Sequence, residues 1–98
     1  MTMTLKEQLL SKKAAILEIS AKHGARNIRI FGSVARGDEG PDSDIDLLID
    51  LDKDRSLLDH AGLLLELMAL MNHKVDVVTE KGLHHRHRQR VLSESIPL

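Results

Sequence analysis

The apolar positions of this 98-residue chain change their spacing several times, and each change marks a predicted element. The first stretch has helical spacing, opens with a capping-box pattern at Thr4-Leu5-Lys6-Glu7 and closes at Gly24, which can end a helix in the left-handed conformation. A first helix is therefore predicted from Leu5 to His23. The apolar residues that define its stripe are Leu10, Ala14, Leu17 and Ala21.

Alternation with a period of two residues follows in two places. Asn27–Phe31 predicts a short strand, and Val34–Gly37 then predicts a short helical turn. The turn-forming residues of Asp38–Ser43 predict a loop. A second strand is predicted from Asp44 to Leu51. One of its faces carries Ile45, Leu47 and Ile49, and the other carries Asp44, Asp46, Leu48 and Asp50.

The second half predicts a helix, a strand and a helix. Ser56 and Asp59 form another capping pattern, and Leu57–Met71 is apolar on most sides, which predicts the central core helix. Lys74–Thr79 predicts a third strand. A final amphipathic helix is predicted to run through Leu92, followed by a frayed end at Ile96-Pro97-Leu98.

These elements predict an α/β (α+β) fold in which a small mixed sheet of about three strands packs against helices. The length fits one domain, residues 1–98, with a modest core and no room for a separate substrate-gripping domain. Repeats and low-complexity linkers are absent from the sequence.

Composition removes several classes of function. The chain has no cysteine, which excludes disulfides and thiolate metal sites. Phe31 is its single Phe, Tyr or Trp, which argues against nucleic-acid binding by stacking. The start of the chain lacks the features of a signal peptide, and no apolar run approaches the roughly 18 residues that span a bilayer. We therefore expect a cytoplasmic protein without membrane attachment.

Charge is unevenly distributed although the net charge is −1. Asp38–Asp54 holds eight acids against Lys53 alone, and Lys81–Arg90 holds four bases, three histidines and no acid. The histidines His84, His85 and His87 are interpreted as part of a solvated basic helix rather than as metal ligands. The bases of this helix either contact an acidic partner surface or offset the acidic centre.

The candidate chemistry lies on the second strand. Asp44 and Asp46 share one face about 6–7 Å apart, and two like charges at that distance favour a hard cation such as Mg²⁺ or Mn²⁺ between them. Asp76 interrupts an apolar run in the third strand. If the two strands are neighbours, three carboxylates converge in the arrangement that two-metal phosphoryl transfer uses.

Gly32 and Ser33 follow the first strand directly, where backbone amides and a hydroxyl can accept phosphate oxygens. Arg36, in the same turn, pairs either with phosphates or with Asp38 or Glu39. Each of these features alone is weak evidence, but their combined order and spacing are specific.

The stretch Gly32–Gly37, followed after a loop by Ser43–Leu47, resembles the signature of the minimal nucleotidyltransferases within the polymerase-beta-like superfamily. The resemblance covers essentially the whole chain. It implies the polymerase-beta-like fold, catalytic metal binding by Asp44, Asp46 and Asp76, and ATP as substrate. It also implies a nucleotide site for which we predict Gly32, Ser33, Arg36 and Ser43.

Stand-alone members of this family resemble antitoxins whose partner toxin is a helical ribonuclease of the HEPN type. The resemblance implies transfer of AMP to a tyrosine of that toxin and hence a protein partner. A non-catalytic antitoxin that binds the toxin directly is the alternative. Transfer to a small molecule or an RNA end is disfavoured, although a homo-oligomer could supply a shared acceptor site.

Overall fold

A four-stranded mixed sheet forms the centre of the computed structural model, which describes residues 3–40 and 42–98. Along the sheet the strand order is β3-β2-β1-β4. β2 and β3 are parallel, and the other two pairs are antiparallel. The predicted fold class is confirmed, with one strand more than expected. The strands are β1 (Ala25–Phe31), β2 (Ile45–Leu51), β3 (Val75–Thr79) and β4 (Ile96–Pro97).

The connections between strands are helical wherever the spacing predicted a helix. Asp38–Ser43, the predicted loop, is irregular at its described positions, and its Pro41 lies outside the described residues. A 3-10 turn, Glu80–Gly82, follows β3. The helices are α1 (Leu5–Ser11), α2 (Lys13–Lys22), α3 (Gly32–Arg36), α4 (Leu57–Met71) and α5 (His85–Glu94).

The predicted first helix is two helices, because the backbone departs from helical geometry at Lys12 (φ −107°, ψ 16°). The Thr4–Glu7 capping box is present, and Gly24 adopts a positive φ of 74° after α2, as predicted. Lys12 is half-buried, and its ammonium donates to the carbonyl of Leu70 at 2.8 Å. At the break, Lys12 therefore links the first helical segment to the end of α4.

The apolar residues whose spacing predicted the first helix are not the ones that face the core. Leu10, Ala14, Leu17 and Ala21 are exposed, and the neighbouring stripe of Leu9, Ile16 and Ser20 is buried instead. Both stripes have helical spacing, so periodicity alone cannot choose between them. The buried stripe also contains the half-buried Lys12. A lysine is rarely buried, so its presence makes this stripe hard to identify from sequence.

The helix α4 has the predicted bounds and the predicted Ser56/Asp59 capping box. It buries Leu63, Leu67 and Met71 in the core. Its role as a central element holds for one face only, because Leu57 and Leu58 are 81% and 83% exposed. A helix that packs on one side of a small sheet needs only one apolar stripe.

Both faces of the sheet are covered near its centre. Ile45, Leu47 and Ile49, which alternation places on one face of β2, join the main core cluster, and Leu48, which points to the opposite face, is also buried. The helix α5 packs against β1 and α3 and buries Val91. Ile96–Pro97, predicted to be frayed, is a strand because Ile96 pairs with Ile30 of β1.

Helices capable of crossing a bilayer do not occur among the described residues, since none is both long and apolar enough.

Candidate active site

The carboxylates of two predicted site residues lie side by side on neighbouring parallel strands. Asp46 of β2 and Asp76 of β3 are register partners, in a ladder that runs from Ile45 and Val75 to Ile49 and Thr79. Side chains at the same position of adjacent strands point to the same face of a sheet. The sheet therefore brings Asp46 and Asp76 together from positions far apart in the sequence.

Asp46 lies in an environment that opposes its negative charge. Partial burial of its carboxyl, together with the smaller effects of the charges of Asp76 and Asp44, raises its pKa from the ordinary value of 3.8 to about 6. Arg36 acts in the opposite sense, and Glu94 adds a weaker repulsion. An acid in this position is poised to accept a cation.

Gly32, the first residue of α3, packs directly against this carboxylate. Its φ is 74°, and a Cβ atom built on it would overlap Asp46 Oδ2 and lie 3.2 Å from Asp46 Cγ. A glycine is therefore required here both by the backbone conformation and by the available space. The predicted phosphate-binding turn and the predicted metal-binding strand are in contact.

Asp44, the third predicted metal ligand, precedes β2. Its Oδ2 atom lies 3.6 Å from Nζ of Lys74, just before β3, so a lysine ammonium already faces this carboxylate. Within residues 3–40 and 42–98, no three His, Asp or Glu side chains stand close enough to form a ready-made metal site. The structure brings Asp46 and Asp76 together and leaves Asp44 paired with Lys74.

The donor set nevertheless fits a hard divalent cation. Two carboxylates on adjacent strands present oxygen ligands, and their mutual repulsion is relieved when a cation binds between them. The exposed side chain of Lys74 can release Asp44 at small cost, since surface ion pairs are weak. Metal binding by Asp44, Asp46 and Asp76 remains a prediction.

Arg36 and the Gly32 amide meet a residue that sequence reasoning missed. Glu94, the last residue of α5, accepts the Gly32 N–H at 3.1 Å through Oε1 and Arg36 Nη1 at 3.0 Å through Oε2. Arg36 also donates from Nε to Asp38 at 3.2 Å, and these two carboxylates raise the pKa of the guanidinium. Of the predicted alternatives for Arg36, pairing with Asp38 is observed.

Glu39, the other predicted alternative, does not contact Arg36 in this way. Its carboxylate accepts the backbone N–H of Leu5 at 2.8 Å and of Lys6 at 3.4 Å, at the start of α1. An anion is favourable at that end of a helix. Glu39 therefore ties the loop after α3 to the first helix.

The two serines of the predicted nucleotide site lie on either side of this loop. Ser33 is half-buried within α3, and its carbonyl accepts the Asp38 N–H at 3.1 Å. Ser43 is a turn residue: its hydroxyl accepts the Gly40 N–H at 2.8 Å, and its carbonyl contacts His73 Nε2 at 2.6 Å. Contact of either serine with a nucleotide remains a prediction.

The histidine-rich segment has a structural use at one position. His84 precedes α5, and its Nδ1 accepts the Arg86 N–H at 3.2 Å, which caps the helix. The basic residues that follow are exposed, and Arg88 contacts Glu80 at 3.5 Å. This agrees with the interpretation of a solvated basic helix.

Comparison with known proteins gives the chain a family. A model of the nucleotidyltransferase domain matches residues 12–98. "Protein adenylyltransferase MntA" of Thermococcus cleftensis is 37% identical over 79 residues, which are 81% of this chain and 80% of that protein.

Two solved structures share the fold. One, described as "Structure of putative minimal nucleotidyltransferase", is 50% identical, covers 98% of this chain and 97% of its own, and superposes with a TM-score of 0.86. The other, "Crystal structure of the toxin-antitoxin with AMP-PNP", has a TM-score of 0.72 at 20% identity and covers 87% of this chain and 70% of its own. The chain therefore belongs to the nucleotidyltransferase domain family, and it is a nucleotidyltransferase of the minimal kind.

Proposed function

We propose that this nucleotidyltransferase transfers AMP from ATP to a protein partner and thereby acts as the antitoxin of a toxin–antitoxin pair. The acceptor is a tyrosine hydroxyl of a HEPN ribonuclease toxin, as the family resemblance implies. The acceptor oxygen loses its proton to solvent, attacks the α-phosphorus and forms a new O–P bond. The bond between the α-phosphorus and the bridging oxygen to the β-phosphate breaks, and the β- and γ-phosphates leave as pyrophosphate.

One observation carries this proposal, namely that Asp46 contacts Gly32 and is the register partner of Asp76. A carboxylate pair and a glycine turn in contact offer a cation site directly beside a backbone amide. Phosphoryl transfer depends mainly on positioning and on electrostatic stabilisation, and these two features provide both.

Mg²⁺ held by Asp44, Asp46 and Asp76 would neutralise phosphate charge and lower the pKa of the attacking hydroxyl. The chain's own residues have separate tasks. The amide of Gly32 and the guanidinium of Arg36 bind phosphate oxygens, and the hydroxyls of Ser33 and Ser43 add donors beside them.

A protein as acceptor is supported by the name of the Thermococcus cleftensis relative, a protein adenylyltransferase. A toxin as partner is supported by the shared fold with a toxin–antitoxin complex that holds AMP-PNP.

The decisive experiment is the intact mass of the protein encoded beside this one after co-expression. Three forms of the chain are compared: wild type, the double variant Asp44→Asn, Asp46→Asn, and the control Asp50→Asn. Asp50 lies on the same strand but pairs with Arg29 at 3.0 Å and with Asn27 at 3.0 Å. We expect the mass of the partner protein to increase by one or more AMP units with wild type and with the control, and to stay unchanged with the double variant.

One result would contradict adenylylation, and another would contradict the role of the two aspartates. A partner that stays unmodified yet co-purifies tightly with wild type would favour neutralisation by direct binding. In that case the double variant should protect cells as well as wild type does. A partner that gains the same mass with the double variant would show that Asp44 and Asp46 are not needed for transfer.

A further inference from the structure

Glu94 contacts two of the groups that the proposed function assigns to phosphate, the Gly32 amide and the Arg36 guanidinium. We propose that its carboxylate is an internal competitor of the nucleotide: it occupies the Gly32 amide and Arg36 in the free protein, and a bound triphosphate must displace it. This inference rests on the proposed nucleotide site and concerns how that site is regulated.

The contact is made by both oxygens of one carboxylate. Oε1 accepts from the backbone of Gly32 at 3.1 Å and Oε2 accepts from Arg36 Nη1 at 3.0 Å. Only 16% of the Glu94 side chain is exposed, in contrast to 47% for Arg36. Glu94, at the end of α5, is therefore the more buried partner of this contact.

A carboxylate and a phosphate compete for the same donors because both present anionic oxygens. The Gly32 amide has a single hydrogen, so a phosphate oxygen cannot accept it while Glu94 does. The Nε of Arg36 is directed to Asp38 and its Nη1 to Glu94, which together use two of the five N–H donors of the guanidinium. Glu94 thus occupies the Gly32 amide fully and the Arg36 guanidinium in part.

The backbone that carries Glu94 is fixed on both sides. Val91, one turn earlier, is buried, and Ile96, two residues later, pairs with Ile30 in the sheet. The Leu98 N–H also donates to the Ile28 carbonyl at 3.0 Å. Displacement therefore requires only rotation of the Glu94 side chain into solvent, with α5 and β4 left in place.

Competition of this kind lowers the apparent affinity by the fraction of molecules whose donors are free. One contact of the Glu94 carboxylate with the Gly32 amide and one with the partly exposed Arg36 correspond to about a 3- to 10-fold effect. We expect Glu94→Gln to bind tripolyphosphate with Mg²⁺ about 3- to 10-fold more tightly than wild type. Gln keeps the size of the side chain and removes its charge.

The test is a titration of the full chain with Mg²⁺-tripolyphosphate. Binding is measured by calorimetry and by the NMR signal of the Gly32 amide. Glu66→Gln is the matched control, because the Glu66 carboxylate also contacts two basic side chains, Lys22 and His23. It lies on α4 and not at the proposed nucleotide site. The control should bind as wild type does. Equal or weaker binding by Glu94→Gln would overturn the proposal and make Glu94 a residue that orients Arg36.

Wild-type protein gives a second readout that needs no substitution. On saturation with Mg²⁺-tripolyphosphate, the carboxyl ¹³C resonance of Glu94 should move to the position of an exposed glutamate such as Glu18. An unmoved resonance in the saturated protein would overturn the competition. If folded wild type and variants bind neither tripolyphosphate nor ATP, the proposed nucleotide site itself is wrong, and the competition falls with it.

Discussion

A methyl group on Gly32 would collide with the carboxylate of Asp46. The two residues lie on different elements, yet neither has room to change without moving the other. Gly37, a few residues later in the same turn, also has a positive φ, of 80°, but a Cβ there would meet no atom within 4 Å. The two glycines thus separate the effect of backbone conformation from the effect of contact with the site.

Gly37→Ala should cost about 1 kcal/mol of unfolding free energy, because only the left-handed conformation is strained. Gly32→Ala should cost about 2–4 kcal/mol, because the overlap with Asp46 is added. Denaturant unfolding measures both costs. Transfer activity should survive in Gly37→Ala and be lost in Gly32→Ala, and equal activity losses would show that contact with Asp46 is unimportant.

Asp46→Asn should stabilise the metal-free protein at pH 8 by about 1–2 kcal/mol, a value discounted for solvent screening. The folded-state pKa of about 6 exceeds the ordinary 3.8, so the folded state binds the proton more tightly than the unfolded state. Stability of wild type should fall as pH rises from about 4 to 6, and the variant should lack this fall. Thermal melting across that range in the presence of a chelator measures it.

The matched variant Asp50→Asn should not gain stability at pH 8, because it removes a partner of Arg29. A large loss of stability in Asp46→Asn at pH 8 would contradict the prediction. It would mean that the charged Asp46 carboxylate stabilises the metal-free fold instead of destabilising it.

Saturating Mg²⁺ with ATP should raise the melting temperature of wild type. A ligand present at 100 times its dissociation constant adds about 2.7 kcal/mol to the unfolding free energy. In a domain of this size that corresponds to about 10 °C or more. Asp44→Asn, Asp46→Asn should lose most of the shift and Asp50→Asn should keep it, whereas an undiminished shift in the double variant would place nucleotide binding elsewhere.

Val91→Ala should destabilise the protein by about 1–2 kcal/mol, because Val91 is only 4% exposed and anchors α5 on the sheet. Leu92→Ala, at a neighbouring position that is 36% exposed, should cost clearly less. Denaturant unfolding compares the pair. Equal costs would show that α5 is not held through Val91.

The local parts of the fold were predictable from sequence because they depend on neighbours in the chain. The capping boxes at Thr4 and Ser56 and the bounds of α4 are of this kind. The register of Asp46 with Asp76 was conditional on strand order, which no local pattern encodes. The inward stripe of α1 and α2 could not be identified from spacing for a related reason, since two stripes with the same period differ only in what lies opposite them in the fold.

Glu94 was beyond sequence reasoning altogether. It stands in a polar stretch, and its contact with Gly32 spans 62 positions of the chain. That contact exists because Ile96–Pro97 pairs with β1 and brings the end of α5 over α3. A two-residue strand carries almost no pattern of its own, so its pairing could not be read from the sequence.

Because β2 and β3 are paired in a parallel ladder, the distance between Asp46 and Asp76 does not depend on the length of the chain that connects the two strands. Asp46 and Asp76 are thirty positions apart in sequence, but their separation in space is set by hydrogen bonds between two adjacent strands. Insertions or deletions in the turns before and after α4 would alter the crossover and leave the two carboxylates at the same rung. Loop length in this half of the molecule can therefore change while the relative position of the two carboxylates stays constant.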